Sequence, residues 1–175
     1  MKLKLNNVRL SFPSLFEPTS FEGSKPSFKA TFILDKKAHK TAIAEIQIAI
    51  AAVITEKWQG KLKQSQLKGV CLRDGSEKAD MDGYGDEVMF VSSSNSKRFP
   101  VVDKDLTPLD STDTKPYAGC YVNATIELWA QDNQFGKRVN AQVKAVQFSR
   151  EGEPFGDKTV NVEDEFEKIE DDSVL

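Results

Sequence analysis

The sequence predicts a mainly β fold with one long covering helix, and three observations carry that expectation. Apolar and polar residues alternate in several short runs, the period of a half-buried strand. One stretch, Ala38 to Trp58, switches to a period of three to four, the spacing of a helix that packs one side on a core. Turn-forming residues separate these runs at short intervals. The clearest strand signal lies between Pro116 and Phe148. In its first run Val122, Ala124, Ile126, Leu128 and Ala130 fall on one side, and Tyr121, Asn123, Thr125, Glu127 and Trp129 on the other. After the loop DNQFG, Val139, Ala141, Val143 and Ala145 form a dry side, and Arg138, Asn140, Gln142 and Lys144 a wet one. Two such runs around a short polar loop predict a β-hairpin with one wet and one dry face.

The other elements follow in chain order. Leu3 and Leu5, then Val8, Leu10 and Phe12, alternate with Lys2, Lys4, Arg9 and Ser11. They predict a strand over 1–12, bulged at Asn6-Asn7 and ended by Pro13. Residues 14–26 are rich in Pro, Gly and Ser and read as a loop. Phe28, Ala30, Phe32 and Leu34 predict a second strand over 27–34, with Asp35 as a helix cap. Ile43, Ile46, Ile50 and Val53 mark the buried stripe of the helix, alanines favour it, and Gly60 ends it. A short helix over 61–68 is a weaker signal. Val70, Cys71 and Leu72 begin another strand, 73–86 is a loop, and 87–91 (EVMFV) is a strand. A polar run, SSSNSKRFP, and an acidic loop over 103–116 precede the hairpin. A last short strand is expected over 158–162. Five or more short strands with a single helix predict a five-stranded barrel of the OB type, closed or partly closed. A β-sandwich meets the same count.

At 175 residues, with 39% apolar and 29% charged side chains, the chain reads as one soluble domain. No apolar run reaches the roughly 20 residues of a membrane span. The N-terminus alternates too early to hold a signal-peptide core, so a cytoplasmic protein is expected. Cys71 and Cys120 lack a CxxC neighbour and read as reduced and structural. The charge is uneven. Residues 163–175 hold seven acids and one lysine, a net −6, whereas the preceding 162 hold 23 basic and 20 acidic side chains, a net +3. The expected organisation is a binding domain over 1–162 and a flexible acidic tail over 163–175. Tails of this kind often bind partners.

The sequence offers little for catalysis. His39 stands alone near the helix start and reads as a surface or capping residue. Phosphate-loop, dinucleotide and zinc motifs are missing, so no cofactor is expected. Asp80, Asp82, Asp86 and Glu87 open like a calcium loop, but valine stands where its twelfth-position glutamate belongs. The alternative function rests on these four acids: a nuclease or phosphoesterase using two Mg²⁺ ions.

Aromatic and basic residues point instead to nucleic acid. The candidates are Lys97, Arg98, Phe99, Tyr121, Trp129, Phe135, Lys137, Arg138 and Lys144. Rings stack on bases whatever their identity, and cations follow the phosphates. Phe99 and Phe135 are expected in turns with little core to bury in, whereas Trp129 also fits a place beneath the helix.

Residues 116–156 (PYAGCYVNATIELWAQDNQFGKRVNAQVKAVQFSREGEPFG) resemble the C-terminal half of a family of bacteriophage single-stranded DNA-binding proteins. Residues 6–18 (NNVRLSFPSLFEP) and the FKATFIL strand resemble its opening. The resemblance implies an OB fold that coats single-stranded DNA in phage replication and recombination, without catalysis. It implies partners too: phage or host replication and recombination proteins at the tail, through Asp164, Glu165, Glu170, Asp171, Asp172, Val174 and Leu175. Many such tails end in an aromatic residue; this one ends Ser173-Val174-Leu175. The helix also falls one strand earlier than in the simplest OB barrel. Weaker binding of duplex DNA or RNA follows from the same cations, and a homodimer is left open.

Overall fold

The structure, a computed structural model, describes residues 2–20, 23–156 and 166–169. Five long strands form the body: β1 (Lys2–Thr19), β2 (Ser27–Asp35), β5 (Val88–Asn95), β7 (Tyr121–Asn133) and β8 (Gly136–Arg150). Helix α1 (Lys40–Trp58) lies between β2 and β5, where the sequence places it. Three short strands decorate the body: β3 (Gly69–Val70), β4 (Leu72–Asp74) and β6 (Val101–Val102). The long strands pair in the order β8-β7-β1-β2-β5, and β5 returns to pair with β8. That last pairing is parallel and the others are antiparallel, so the ring is a closed, mixed, five-stranded barrel. Closure removes the sandwich alternative and most of the exposed strand edge.

The dry faces fill the barrel as the alternation predicts. Leu5, Val8, Leu10, Phe32, Leu34, Val91, Val122, Ile126, Val139 and Val143 are buried, and α1 adds Ile43, Ile46, Ala49, Ile50, Ile54 and Trp58. Each of the valine, leucine, isoleucine and phenylalanine side chains among them contributes roughly 1.5–3 kcal/mol on leaving water. Gln59 adopts a left-handed conformation and Gly60 follows at φ +79°, which stops the helix. Asp35 caps the turn before the helix: its Oδ1 accepts the N–H groups of Lys37 and Ala38, both at 2.8 Å. His39 stands at the N-cap position, where its Nδ1 accepts the Asp35 N–H at 3.0 Å. The helical signal at 61–68 shrinks to a single turn, Gln64–Gln66.

Three expectations are corrected. Pro13 does not end β1, which runs on to Thr19 through shifts in register between Ser11 and Ser14 and again before Thr19. Around Pro13 the strand changes face. Ser11 shares the outer face with its partner Thr31 but is buried beneath Tyr84, while Phe12, at φ +45°, turns outward and is 51% exposed. The buried Ser11 hydroxyl accepts a hydrogen bond from Tyr84 at 2.9 Å. In β8 a register shift between Thr125/Ala145 and Ile126/Val143 resets the alternation, so Val146 and Phe148 point inward and Ala145 does not. The bulge expected at Asn6-Asn7 is present, with Asn7 at φ +53°. Finally, β5 continues past Val91 through the serine run to Asn95, because Ser93 faces the interior and donates to the Ala30 carbonyl at 2.6 Å.

Cys71 and Cys120 are free and buried. Burial pushes their thiols up, to about 12 and about 11 respectively. Among the described residues, no helix is long and apolar enough to cross a membrane. The expected strand over 158–162, the domain boundary at 162 and the named tail residues lie outside the described residues.

Candidate nucleic-acid interface

The seam that closes the barrel is short, and a trough opens over it. β5 meets β8 only at Ser93↔Ala141 and Ser94↔Gln142. One flank of β5 then turns to β4, and one flank of β8 turns to β3, so the two strands splay. A cavity of about 930 Å³ lies on the outer face here, lined by Phe12 and Pro13 of β1, Lys29 and Thr31 of β2, Ser92 and Ser94 of β5, Asn140 of β8, and Lys78 and Met81 of the 73–86 loop. A second cavity, of about 560 Å³, continues it past Ser92 and Asn140 to Lys68, Arg73 and Arg138. Small hydroxyl-bearing residues thus make a polar floor, and five cations line the length of the trough.

The cations and the ring are held in place. Lys78 Nζ sits 4.9 Å from the Phe12 ring centre, 5.2 Å from that of Phe90 and 5.7 Å from that of Tyr84. Such contacts fix an ammonium without neutralising it. Lys29 donates to the backbone oxygen and the hydroxyl of Thr19. Arg73 makes a two-pronged contact with Glu77 at 3.0 and 3.2 Å. The hairpin tip closes the far end: Lys68 Nζ donates to the Phe135 carbonyl at 3.1 Å. Gly136, at φ +113°, permits that approach, since a Cβ there would stand 2.8 Å from Lys68. Phe12 is the exposed ring at one end of the trough and Phe135, 65% exposed, stands at the other.

The residues named from sequence divide. Arg138 lines the trough, with its guanidinium under Gly69. Phe135 is at its rim, and Lys137 beside it pairs with Asp132 at 3.2 Å. The Trp58 indole N–H, then Lys137, hold the Asp132 carboxyl below its ordinary value. Lys144 is on the wet face, 3.7 Å from Glu127. Lys97 is exposed on the turn after β5. Arg98 is committed elsewhere: it donates to the Phe16 carbonyl at 2.9 Å and covers the Phe28 ring at 5.0 Å. Phe99 is a correction. It is 5% exposed and packs edge-on against Phe28, so its ring presents no face to a base. Tyr121 keeps its place on the wet face, but Arg150 lies 3.7 Å from its ring centre and Arg9 5.7 Å. Trp129 is 47% exposed and borders a cleft with Ala52, Val53, Glu56 and Lys57 of α1.

Phe12, Lys29, Lys68, Arg73 and Lys78 were not legible as site residues. Phe12 reads from sequence as one more dry-face residue, and the cations are spread over 50 positions of chain. The one available signal was Phe12 standing directly before Pro13. Asp80 and Asp82 line a cavity with Tyr84 and Phe155, and Asp82 accepts the Gly156 N–H at 3.2 Å. Among the described residues, no three histidine, cysteine or acidic side chains gather as metal ligands would.

Comparison with known proteins places this fold. A protein of Acyrthosiphon pisum secondary endosymbiont phage 1, p50, is 41% identical over 97% of this chain and 94% of its own length. The single-stranded DNA-binding protein of bacteriophage Enc34, solved in complex with single-stranded DNA, superposes with a TM-score of 0.78 at 28% identity, covering 89% of each chain. Gp2.5, the single-stranded DNA-binding protein of bacteriophage T7, has the same fold, with a TM-score of 0.53 at 15% identity over 97% of each chain. The family model described as the single-stranded DNA-binding protein of Enterobacter phage Enc34 matches residues 1–175. A mixed five-stranded barrel with its helix after the second strand agrees with these likenesses, the family match runs from end to end, and the chain belongs to the Enc34 single-stranded DNA-binding protein family.

Proposed function

We propose that this protein binds single-stranded DNA without regard to sequence, in phage DNA replication and recombination, and that the strand lies in the trough over the β5–β8 seam. The observation that carries this is the pairing of an exposed ring, Phe12, with Lys29, Lys78, Lys68, Arg73 and Arg138 above a floor of serine and asparagine. Cations supply affinity that falls as salt rises, and stacking on Phe12 adds about 1–3 kcal/mol per base. Neither reads base identity. The work is binding rather than catalysis. Duplex DNA and RNA bind more weakly, through the same cations.

The acidic tail, with Asp164, Glu165, Glu170, Asp171, Asp172, Val174 and Leu175, recruits replication proteins and competes with DNA for the trough. Its net charge of −6 opposes the cations there. The described body also leads toward the site: Gly156 lines a cavity that shares Phe12, Pro13 and Met81 with the trough. The test is a salt series of binding to oligo-dT, duplex and RNA of equal length, with the full chain and with residues 163–175 deleted. Oligo-dT should bind tightest, and the deletion should tighten binding at low salt. Equal binding of all three removes the single-strand preference, and unchanged affinity on deletion removes the competition.

A further inference from the structure

We infer that the strand does not stop at Asn140 but crosses β8 onto β7, where Trp129 is a terminal stacking platform. The inference rests on the trough being the DNA site. The registers lay out one transverse row on the outer face of the barrel. Thr31 of β2 pairs with Ser92 of β5. The next residue pair links Ser93 to Ala141, which brings Ser92 beside Asn140, and both line the two cavities of the trough. Asn140 of β8 then pairs with Trp129 of β7. The row therefore runs from the polar floor to an indole with no break in the sheet.

Trp129 is suited to the end of that row. Its ring is 47% exposed on a position whose β7 neighbours alternate between core and surface. Among the described residues β1 pairs with β7 only from Glu127 toward Tyr121, and no strand among them covers the β7 edge at Trp129. Lys57 of α1 lines the cleft beyond the indole and offers a cation for the phosphate that follows the stacked base. Asn140 is held toward this side by donating to the Gln131 side chain at 2.7 Å. Strands in a sheet are about 4.8 Å apart, so the path from β1 to β7 through β2, β5 and β8 spans about 19 Å. That is a few nucleotides, near the lower end of the roughly 4–16 that an OB fold covers. Phe12 and Trp129 then bracket the track, and only a strand long enough to reach both engages the indole.

The protein carries its own reporter for this. Trp58 is buried and donates its indole N–H to Asp132 at 3.2 Å, whereas Trp129 faces solvent. The full chain with Trp58→Phe leaves Trp129 as the single indole. It is titrated with oligo-dT lengthened one nucleotide at a time up to about 16, with binding followed in parallel by anisotropy of labelled oligonucleotides. The shortest oligonucleotides should bind without changing Trp129 emission, and quenching should set in at a threshold length. Trp129→Ala should weaken binding about 5- to 150-fold above that threshold only, and Trp129→Phe should restore the step. Quenching at every length, no quenching at any, or an equal loss at all lengths in Trp129→Ala would overturn the inference. Failure of the trough reading looks different: Phe12→Ala and Lys78→Ala would then bind every length as the parent does.

Discussion

Two sides of the barrel share strand β8 and differ in how far it is paired. Toward β7 the ladder runs from Tyr121↔Arg150 to Asn133↔Gly136, with two irregularities. Toward β5 it is confined to two residue pairs, with serines where the other side has valine, isoleucine and leucine. The first side is a packed wall and the second an opening. Side chains on the wall are fixed by exclusion of water. Those along the opening are fixed by a few polar or cation–ring contacts and remain accessible. The wall should therefore govern folding and the opening should govern binding.

Substitutions can break that division, and the largest effect is expected in the wall. Ile126→Ala removes a fully buried side chain facing the core and should cost about 2–5 kcal/mol, read as a lower urea midpoint. The protein that remains folded should bind oligo-dT as before. On the open side, Phe12→Ala should shift the urea midpoint by less than about 0.5 kcal/mol while weakening oligo-dT binding by about 1–3 kcal/mol. A Phe12→Ala protein as unstable as Ile126→Ala would mean that the trough is structural. Arg138→Gln should act through charge alone: the slope of log affinity against log salt should fall by about 0.7, the value for one phosphate contact on a single strand. An unchanged slope would take Arg138 off the phosphate path.

The smallest effect concerns pH. Lys36, 2.8 Å away, and then the Ser76 N–H hold Asp74 down to about 2. A depressed folded-state value contributes stability above the ordinary carboxylate value, lost as pH falls toward about 2. Asp74→Asn should flatten that acid limb slightly, since the pair is exposed and screened. It should leave DNA binding at neutral pH unchanged. A change in binding would extend the open side along β4 from Arg73 to Asp74.

What the sequence revealed follows the same boundary. The β7–β8 hairpin, β2 and α1 were legible because a water-excluded face imposes a strict period on its own stretch of chain. Even there, the bulge at Lys144 was invisible, since the alanine that follows it fits either face. Closure between β5 and β8 left no local mark: it joins positions about 50 residues apart, and Ser92 and Ser94 look like loop residues in a polar run. Phe12 misled because its periodic position is apolar, and the φ of +45° that turns it outward is set by packing around Ser11 and Tyr84. Phe99 misled in the opposite sense: its neighbours Lys97 and Arg98 are surface residues, but Phe28 lies within reach of its ring. Of the residues named from sequence, Arg138 and Phe135 border the trough because they lie on the hairpin, the element that was read best.

The short β5–β8 ladder has a consequence for motion. A ring of strands opens most easily where the fewest amide hydrogen bonds must break, and here the Asn95 side chain, donating to the Val143 carbonyl at 2.8 Å and accepting from the Gln142 side chain at 3.4 Å, is a rivet beside two residue pairs. A polymer seated across Ser92 and Asn140 touches both lips of that joint and acts as a splint, because closed barrels bind it and gaping ones do not. Amide protons near Ser93 and Gln142 should then exchange more slowly in the bound state, while those of the β7–β8 wall hardly change. The cargo would complete the barrel it is carried on.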